Sequence, residues 1–318
     1  MDESKSIDCI VCGSCTVDIL VRPFQLDQPV IGGRLYEVDP LRVETGGIVS
    51  NSGATFARLG LKTEAFTLIG DDEFGTIIRD RFQTFGVGTQ GLSVHCREAT
   101  SASVVMVDPS GERSFAHCVG APRELDLAWF ESHMSFFKQS RAVMLGYFSL
   151  MPKLEPDLPQ VLGMLRQAGC LTILESAGSG GSLDDLAPSL AEVDIYLPSE
   201  EEARHQTGTD QPGEMIELFR ARGARGTVGI KCGTQGSVIS PVPGEVLTID
   251  CIEAPGAVVD TTGAGDAFLA GYVAGILKEL SPSHAGRLAA AAGACCVTGL
   301  GASAGLRDYQ ETAQLAGL

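Results

Sequence analysis

The chain lacks a Gly-Lys dipeptide anywhere in its 318 residues. A Walker A motif needs that pair, so a P-loop nucleotide-binding protein is excluded. The dinucleotide-binding fingerprint is also missing, because the first predicted strand is followed by Gly13-x-Cys15-x-x-Asp18, which lacks two of the three required glycines. These two absences count against a P-loop enzyme and against a dinucleotide-dependent oxidoreductase.

Long apolar runs and basic charge are both scarce. No run of 18 apolar residues occurs, so no transmembrane helix is predicted. The first six residues lack the basic region of a signal peptide, and a cytoplasmic protein is expected. With 23 Lys and Arg against 40 Asp and Glu, the net charge of −17 would repel nucleic acids and anionic membranes, and neither is expected as a partner. A single nucleotide is not excluded, because backbone N–H groups and Mg²⁺ can hold phosphate inside an acidic protein.

Ten cysteines are present, and three of them, Cys9, Cys12 and Cys15, are closely spaced. This spacing resembles a metal cluster at first sight. However, the flanking apolar residues predict a strand, in which a spacing of three puts neighbouring cysteines on opposite faces. We interpret these cysteines as reduced, buried side chains.

Short apolar strands alternate with helices along most of the chain, which predicts an α/β fold: a mostly parallel central sheet with helices on both faces. Two strand-rich segments, at about 17–43 and 101–119, have no helices to cover them, and we expect them to form a small β-sheet lid. A length of 318 residues suits one large α/β domain with a small appendage, or two modest domains, and we expect a single domain over 1–318. A composition of 44 % hydrophobic and 20 % charged residues is ordinary for a globular protein. Strands are predicted at 9–12, 65–69, 142–145, 171–174, 195–197 and 227–231, and helices at 51–60, 74–85, 158–168, 200–207, 214–222, 266–280 and 283–298.

The most informative stretch is Asp260-Thr261-Thr262-Gly263-Ala264-Gly265-Asp266-Ala267-Phe268. Apolar residues recur at helical spacing after it, so a loop of small residues leads into a helix N-terminus. Unpaired N–H groups and the positive end of the dipole make such a terminus an anion site. Asp266 would be kept ionised there, next to a phosphoryl group, and could accept a proton from an attacking hydroxyl. A glycine turn with a capping Asp is the structural alternative, although nine residues in this order make it much weaker.

This stretch resembles the C-terminal signature of the ribokinase-like carbohydrate kinases, also called the PfkB family. A second region is similar to the N-terminal signature of that family, and the two occur in the expected order over nearly the full chain. Its parts are Gly46-Gly47-Ile48-Val49-Ser50-Asn51, Ala57-Arg58-Leu59-Gly60 and Ile69-Gly70-Asp71-Asp72-Glu73-Phe74-Gly75.

The resemblance implies an ATP-dependent kinase that phosphorylates a sugar hydroxyl. Asp266 would be the catalytic base, and the amides of Gly263, Ala264 and Gly265 would form the anion hole. Asp18, just past the first strand, matches the family's sugar-binding Asp, at an edge where open α/β sheets bind ligands. Gly46, Gly47 and Asn51 match the second substrate patch. A glycine turn and a helix cap at Asn51 are the alternatives for that patch.

The nucleotide side of the resemblance is less complete. Glu202 fits the Glu of the family's Asn-x-x-Glu motif, which acts indirectly on Mg²⁺, but Ser199 replaces the Asn. Lys231 and Gly233 match the strand end that borders the nucleotide. Asp260 and Thr262 match a monovalent-cation loop, so K⁺ is a further candidate beside ATP and Mg²⁺. Glu175 stands where many members carry Asp or Asn.

The acceptor is not fixed by the sequence. Ile48 follows the glycine pair where ribose and phosphosugar enzymes tend to have Lys, which argues against those sugars. Gly146-Tyr147-Phe148 offers an aromatic wall that would suit a sugar face, a base or the core. A sugar kinase is therefore the leading hypothesis, with a nucleoside kinase or a catalytically silent sugar- or nucleotide-binding protein as alternatives. The exposed edges of the lid would allow a homodimer.

Overall fold

The computed structural model describes residues 5–178 and 181–318. The strands in this part of the chain are β1 (Ile7–Gly13), β2 (Thr16–Val21), β3 (Arg42–Gly46), β4 (Thr63–Gly70), β5 (Gly88–His95), β6 (Ala102–Val107), β7 (Arg113–Cys118), β8 (Ser140–Gly146), β9 (Leu171–Glu175), β10 (Ile195–Tyr196), β11 (Thr227–Lys231), β12 (Ser237–Ser240) and β13 (Leu247–Ile249). The helices are α1 (Gly47–Arg58), α2 (Glu73–Phe85), α3 (Leu127–Ser132), α4 (Met134–Phe137), α5 (Leu158–Gln167), α6 (Leu183–Leu190), α7 (Glu200–Thr207), α8 (Pro212–Ala221), α9 (Ala264–Leu277), α10 (Pro282–Cys296) and α11 (Tyr309–Ala316).

Nine strands form one large sheet, in the order β13-β12-β11-β10-β9-β8-β1-β4-β5. Its strands pair in parallel from β5 to β11, and β12 and β13 continue the sheet in the antiparallel sense. Helices cover both faces, which leaves an apolar core on each side of the sheet. The predicted α/β fold with a mostly parallel sheet is confirmed.

The central strands are apolar along their whole length because both of their faces are buried. β4 is buried at every position, and β1 at all but one. Cys9 and Cys12 of β1 pack into opposite cores, as the strand interpretation predicts. Burial raises the pKa of both thiols well above the ordinary value, so they stay protonated.

The helix that follows the most informative stretch, α9, is buried on nearly all sides. It packs closely against α10 because small residues face each other across the interface. A Cβ on Gly271 would come within 2.9 Å of the Cα of Ala289, and one on Gly275 within 2.7 Å of the Cα of Ala285. The small side chains therefore fix the position of α9 and of the loop before it.

A separate four-stranded sheet, in the order β3-β2-β6-β7, forms the expected lid. β2 pairs with β3 in the antiparallel sense and with β6 in parallel, and β7 completes the sheet as a hairpin partner of β6. Within the predicted segment 17–43, most residues after Val21 are not in strands, and β3 runs on to Gly46. The second predicted segment, 101–119, matches β6 and β7 closely.

Several boundaries differ from the prediction. α1 begins at Gly47 and not near Asn51, so Asn51 lies inside the helix and the cap alternative is wrong. The chain turns from β3 into α1 at Gly47, which has a φ of 80° that favours glycine. The sequence patterns also missed β5, whose polar residues hide its strand character, and the short helices α6 and α11. In the described residues, no helix combines the length and the apolar character needed to span a bilayer.

Candidate active site

A cavity of about 820 Å³ lies where the lid sheet faces the large sheet and the start of α9. Its size is within the range of small-molecule binding sites. Almost the whole predicted site lines it; Ala264, in the first turn of α9, is not part of the cavity wall of the described chain. The predicted residues in this wall are Asp18, Gly46, Gly47, Asn51, Ser199, Glu202, Lys231, Gly233, Asp260, Thr262, Gly263, Gly265 and Asp266.

The loop before α9 has the conformation expected for an anion site. Gly263 is the N-cap of α9, with a left-handed φ of 75°, and a Cβ there would come within 2.3 Å of the Cβ of Ala302. Gly265 lies beside Lys231, since a Cβ on it would be 3.4 Å from the lysine Nζ. The loop therefore has no room for a side chain at Gly263, and at Gly265 it brings the ammonium group of Lys231 next to a helix N-terminus.

Asp266 lies in the first turn of α9 and is only 5 % exposed. Its Oδ2 accepts two hydrogen bonds, one from Asn51 Nδ2 at 2.7 Å and one from the Tyr147 hydroxyl at 2.9 Å. Burial raises the pKa of Asp266 above its ordinary value, and the bond from Asn51, the charge of Lys231 and the bond from Tyr147 oppose that rise. A carboxylate with a raised pKa is suited to accept a proton.

A buried ion pair lies beside this carboxylate. Lys231 Nζ is 2.7 Å from Glu175 Oε1, and the two side chains are 10 % and 5 % exposed. Burial disfavours the ammonium form of Lys231, but the carboxylates of Glu175 and Glu202 outweigh it and raise the lysine pKa. Burial also raises the pKa of Glu175, against the effect of Lys231. The second oxygen of Glu175, Oε2, is buried with no partner in the described chain, which is unusual without a ligand.

Ser199 and Glu202 are joined to each other at the start of α7. The Ser199 side chain is the N-cap, and Glu202 Oε2 accepts bonds from the Ser199 amide and hydroxyl, each at 2.8 Å. This capping box explains why a Ser at 199 is structurally useful. The backbone of Ser199 also forms an isolated parallel β-bridge with the backbone of Lys231, so the capping box lies directly beside the ion pair of Lys231 and Glu175.

The predicted substrate patch comes together around Asp18, although Asp18 does not lie at the end of the first strand. β1 ends at Gly13, and Asp18 belongs to β2 of the lid, opposite Ser103 of β6. Burial raises the pKa of Asp18, and a bond from Ser103 opposes the rise. Gly46 packs against the Asp18 carboxylate, and Gly47 lies against the carbonyl of Ser14. The two glycines therefore leave room for the Asp18 carboxylate and for the backbone at Ser14 beside the junction of β3 and α1.

The proposed cation ligands, Asp260 and Thr262, are adjacent, but Asp260 already has a cationic partner. Its Oδ1 accepts bonds from the amide and hydroxyl of Thr262, at 2.8 and 2.7 Å, and its Oδ2 accepts one from Gly301 N at 2.8 Å. Arg113 of the lid strand β7 forms an ion pair with Oδ1. Burial opposes ionisation, but these donors outweigh it and lower the pKa of Asp260. The lid is thus bonded to the loop that carries the predicted anion site.

Three contacts of the site were missed by sequence reasoning. Tyr147 was interpreted as an aromatic wall, whereas its hydroxyl bonds to Asp266. Arg113 and Ser103 were included only in the lid segment, without a role. The position of Tyr147 directly after β8 was a usable signal, because ligands bind at the carboxyl ends of parallel strands. Nothing in the sequence pairs Arg113 with Asp260, 147 residues away.

The chain matches known sequences over nearly its full length. The family model described as "pfkB family carbohydrate kinase" matches residues 10–308. A ribokinase of Haemophilus influenzae is 29 % identical over 315 residues, covering 95 % of this chain and 96 % of the relative. An aminoimidazole riboside kinase of Salmonella typhimurium is 29 % identical over 279 residues, covering 82 % and 84 %.

Among solved structures, the ribokinase of Arabidopsis thaliana complexed with ribose and ATP is similar, with a TM-score of 0.85 and 26 % identity. The alignment covers 98 % of this chain and 99 % of that one, so the large sheet and the lid have the same arrangement in both. The matched family model spans most of the chain, including the loop at 260–266 and the patch at 46–51. The chain therefore belongs to the pfkB family of carbohydrate kinases and is, like them, a phosphotransferase whose acceptor is a hydroxyl group.

Proposed function

We propose that the enzyme transfers the γ-phosphoryl group of ATP to a hydroxyl of a small carbohydrate, with Asp266 as the base. The observation that carries this proposal is the buried Asp266 carboxylate at the N-terminus of α9, inside a cavity that also holds the substrate patch and Lys231. General-base work needs a carboxylate within reach of the reacting hydroxyl, and phosphoryl transfer needs a fixed anion site beside it.

In the proposed reaction, the substrate hydroxyl gives its proton to Asp266 while its oxygen attacks the γ-phosphorus. The bond from that phosphorus to the bridging oxygen breaks, and ADP leaves. The amides of Gly263, Ala264 and Gly265, with the dipole of α9, stabilise the charge on the transferring group. The proton on Asp266 passes to solvent after the products leave, which restores the base.

On the nucleotide side, Lys231, Gly233, Ser199 and Glu202 border the cavity. The Arabidopsis relative is described with ATP, which supports ATP as the donor here. No group of three His, Cys, Asp or Glu side chains in the described chain could hold a metal by itself. Glu175 Oε2 is an unpartnered carboxylate oxygen. The residues that border the cavity therefore fit a Mg²⁺ ion that is held mainly by phosphate oxygens and water. When bound, Mg²⁺ would neutralise charge on the phosphates, and Glu202 would orient its water shell.

The residues fit K⁺ less well. Asp260 is the anionic group of the expected cation loop, and it is paired with Arg113 and bonded to Thr262 and Gly301. The guanidinium group already supplies the positive charge that K⁺ would bring to this carboxylate. The proposed reaction therefore needs no monovalent cation at this loop.

On the acceptor side, Asp18, Gly46, Gly47 and Asn51 would hold the sugar. The buried Asn51 Oδ1 has no partner in the described chain and is available to accept a bond from a sugar hydroxyl. Asp18 has the acceptor oxygens that suit hydroxyl donors. A small sugar is the acceptor that these polar groups favour.

One observation favours a nucleoside as a second candidate. Phe115 of the lid lines the cavity and is 60 % exposed, and Leu20 and Val105 line the same wall. An apolar wall with an exposed aromatic ring suits the flat face of a base attached to the ribose. A Phe115→Ala variant should lose activity selectively on ribosides if the acceptor is a nucleoside, and should treat free sugars as the parent enzyme does.

The test of the proposed function is turnover on a panel of sugars and nucleosides, measured by ADP release. Asp266→Asn should lower kcat by roughly 10²-fold to 10⁴-fold, the range of general-base catalysis, while ATP affinity measured by calorimetry stays similar. Because Asn has the same shape, the cavity is preserved. Undiminished turnover in this variant would remove Asp266 as the base, and turnover on nucleosides alone would replace the sugar with the second candidate.

A further inference from the structure

Both hydrogen bonds to the Asp266 carboxylate fall on the same oxygen. Asn51 Nδ2 and the Tyr147 hydroxyl lie 2.7 and 2.9 Å from Oδ2. The other oxygen, Oδ1, accepts no hydrogen bond from the residues that the structure describes, and Asp266 lines the cavity. The two oxygens of the carboxylate are therefore not equivalent, and one is kept free.

Tyr147 is held in place by its backbone. It has φ 59° and ψ 39°, a left-handed conformation that is rare for a bulky side chain and costs on the order of 1–3 kcal/mol. Its N–H donates to the carbonyl of Glu175 at 3.0 Å, and its carbonyl accepts from the amide of Leu150 at 2.9 Å. This unfavourable conformation, directly after β8, directs the phenol toward Asp266.

The phenol can only act as a donor to Asp266. Burial, followed by the charges of Asp266 and Glu175, raises the pKa of Tyr147 well above its ordinary value, so the hydroxyl stays protonated. An O–H donor to a carboxylate stabilises the ionised form of that carboxylate and lowers its pKa. Tyr147 thus opposes the effect of burial on Asp266.

We infer that Tyr147 is a positioning residue of the proposed reaction: with Asn51 it holds Oδ2 of Asp266, so that Oδ1 faces the cavity and takes the proton of the substrate hydroxyl. The inference rests on the proposed function, because it assigns the proton to one oxygen of the proposed base. Tyr147 acts through Asp266 and forms no bond with the transferred group. The other charged or titratable groups around Asp266 are Lys231 of β11, Glu202 of α7, Glu175 of β9 and Cys296 of α10.

The experiment is Tyr147→Phe, which removes one oxygen and keeps the ring. Without this donor, Asp266 should ionise at higher pH, so the acidic limb of the kcat–pH profile should move up by roughly one unit. Because the carboxylate also loses one of the two donors that hold it, kcat on the plateau above the acidic limb should fall by about 10-fold, while KM for ATP changes by less than about 3-fold. The acidic limb moves up because activity needs the ionised carboxylate of Asp266, which is lost as the pH falls through its pKa.

Tyr272→Phe is the matched control. Tyr272 is a fully buried tyrosine on the same helix as Asp266, and it is not part of the cavity wall. This variant should keep the pH profile of the parent enzyme. A role for Tyr147 in packing alone would lower the unfolding midpoint and leave the acidic limb where it is, which would overturn the inference.

A second measurement covers the case in which Tyr147→Phe does not fold. The parent chain grown with 3-fluorotyrosine has more acidic phenols, which are stronger donors, and the acidic limb should move to lower pH. An unmoved limb in the labelled enzyme would overturn the inference. Asp266→Asn separates failure of this inference from failure of the proposed function. If Asp266→Asn is inactive and the Tyr147 experiments give no shift, Tyr147 has no positioning role and Asp266 remains the proposed base. If Asp266→Asn is active, the proposed function itself is refuted.

Discussion

The substitution Gly46→Ala tests the close packing of the end of β3 against the Asp18 carboxylate of β2. A Cβ at this position would lie 2.2 Å from Asp18 Oδ2 and 3.1 Å from Asp18 Cγ. The backbone of Gly46, with φ −131° and ψ −168°, is extended and accepts alanine without strain. The main cost of the methyl group is therefore the displacement of the Asp18 side chain, with a smaller shift of Thr16, whose Cγ2 would lie 3.2 Å away.

The size of the effect follows from that distance. Ordinary contact begins at 3.4 Å, so the carboxylate has to move by about 1.2 Å. A hydrogen bond to a charged group contributes roughly 1.5–3 kcal/mol, and a displacement of this size removes most of it. We expect KM for the sugar to rise by roughly 10-fold to 100-fold, with a smaller change in KM for ATP.

The assay is steady-state ADP release at varied sugar and at saturating ATP. Gly53→Ala is the control, because it adds the same methyl group to α1 and that group would lie 3.5 Å from Val87, an ordinary contact. This control should keep KM and gain stability, since alanine favours a helix over glycine. A normal sugar KM in Gly46→Ala, together with a normal KM in Asp18→Asn, would refute Asp18 as the sugar-binding carboxylate.

Three further predictions follow from other contacts. Replacing Arg113 with Met removes the guanidinium group that pairs with Asp260. We expect the activity of this variant to fall in Na⁺ buffer and to be restored in part by K⁺. Equal activity in both buffers would contradict the proposed role of the guanidinium group. The outer face of the lid carries an apolar row of adjacent residues, Val43, Ile19, Val104 and Ala116, which supports the proposed homodimer. Val104→Asp should therefore reduce the mass measured by light scattering. A parent enzyme that is monomeric at high concentration would contradict the proposed homodimer. Burial raises the pKa of Glu175 from 4.5 to about 8, so its contribution to stability is present at low pH and is lost as the pH rises through about 8; Glu175→Gln should flatten the dependence of the unfolding midpoint on pH between 4.5 and about 8, and an unchanged dependence would contradict it.

The sequence predicted what depends on local pattern. The loop at 260–266 was recognisable because its small residues and the following helical spacing lie in one continuous stretch. The central sheet was predictable for a similar reason, since its strands are apolar on both faces. β5 was not predicted because it has polar residues at several positions, which is usual for a strand at the edge of a sheet.

The contacts that join distant segments were not predictable from one sequence. The hydroxyl of Tyr147 reaches Asp266 across 119 residues of chain, and Arg113 reaches Asp260 across 147. Asp18 lines the predicted cavity but belongs to a different element than predicted, because a lid strand follows directly after β1. Such contacts depend on how the two sheets face each other, and the periodicity of apolar residues carries no information about that packing.

The lid is joined to the rest of the chain by four backbone segments, at 13–16, 46–47, 95–102 and 118–121. A sheet attached in this way cannot swing on one hinge, and any rotation has to be absorbed by all four segments together. The segment at 46–47 leads directly into α1, which carries Asn51 and its bond to Asp266. A sugar that seats the lid would therefore align the base in the same movement, and water alone would not. Under the proposed function, this attachment of the lid would limit the hydrolysis of ATP when no sugar is bound.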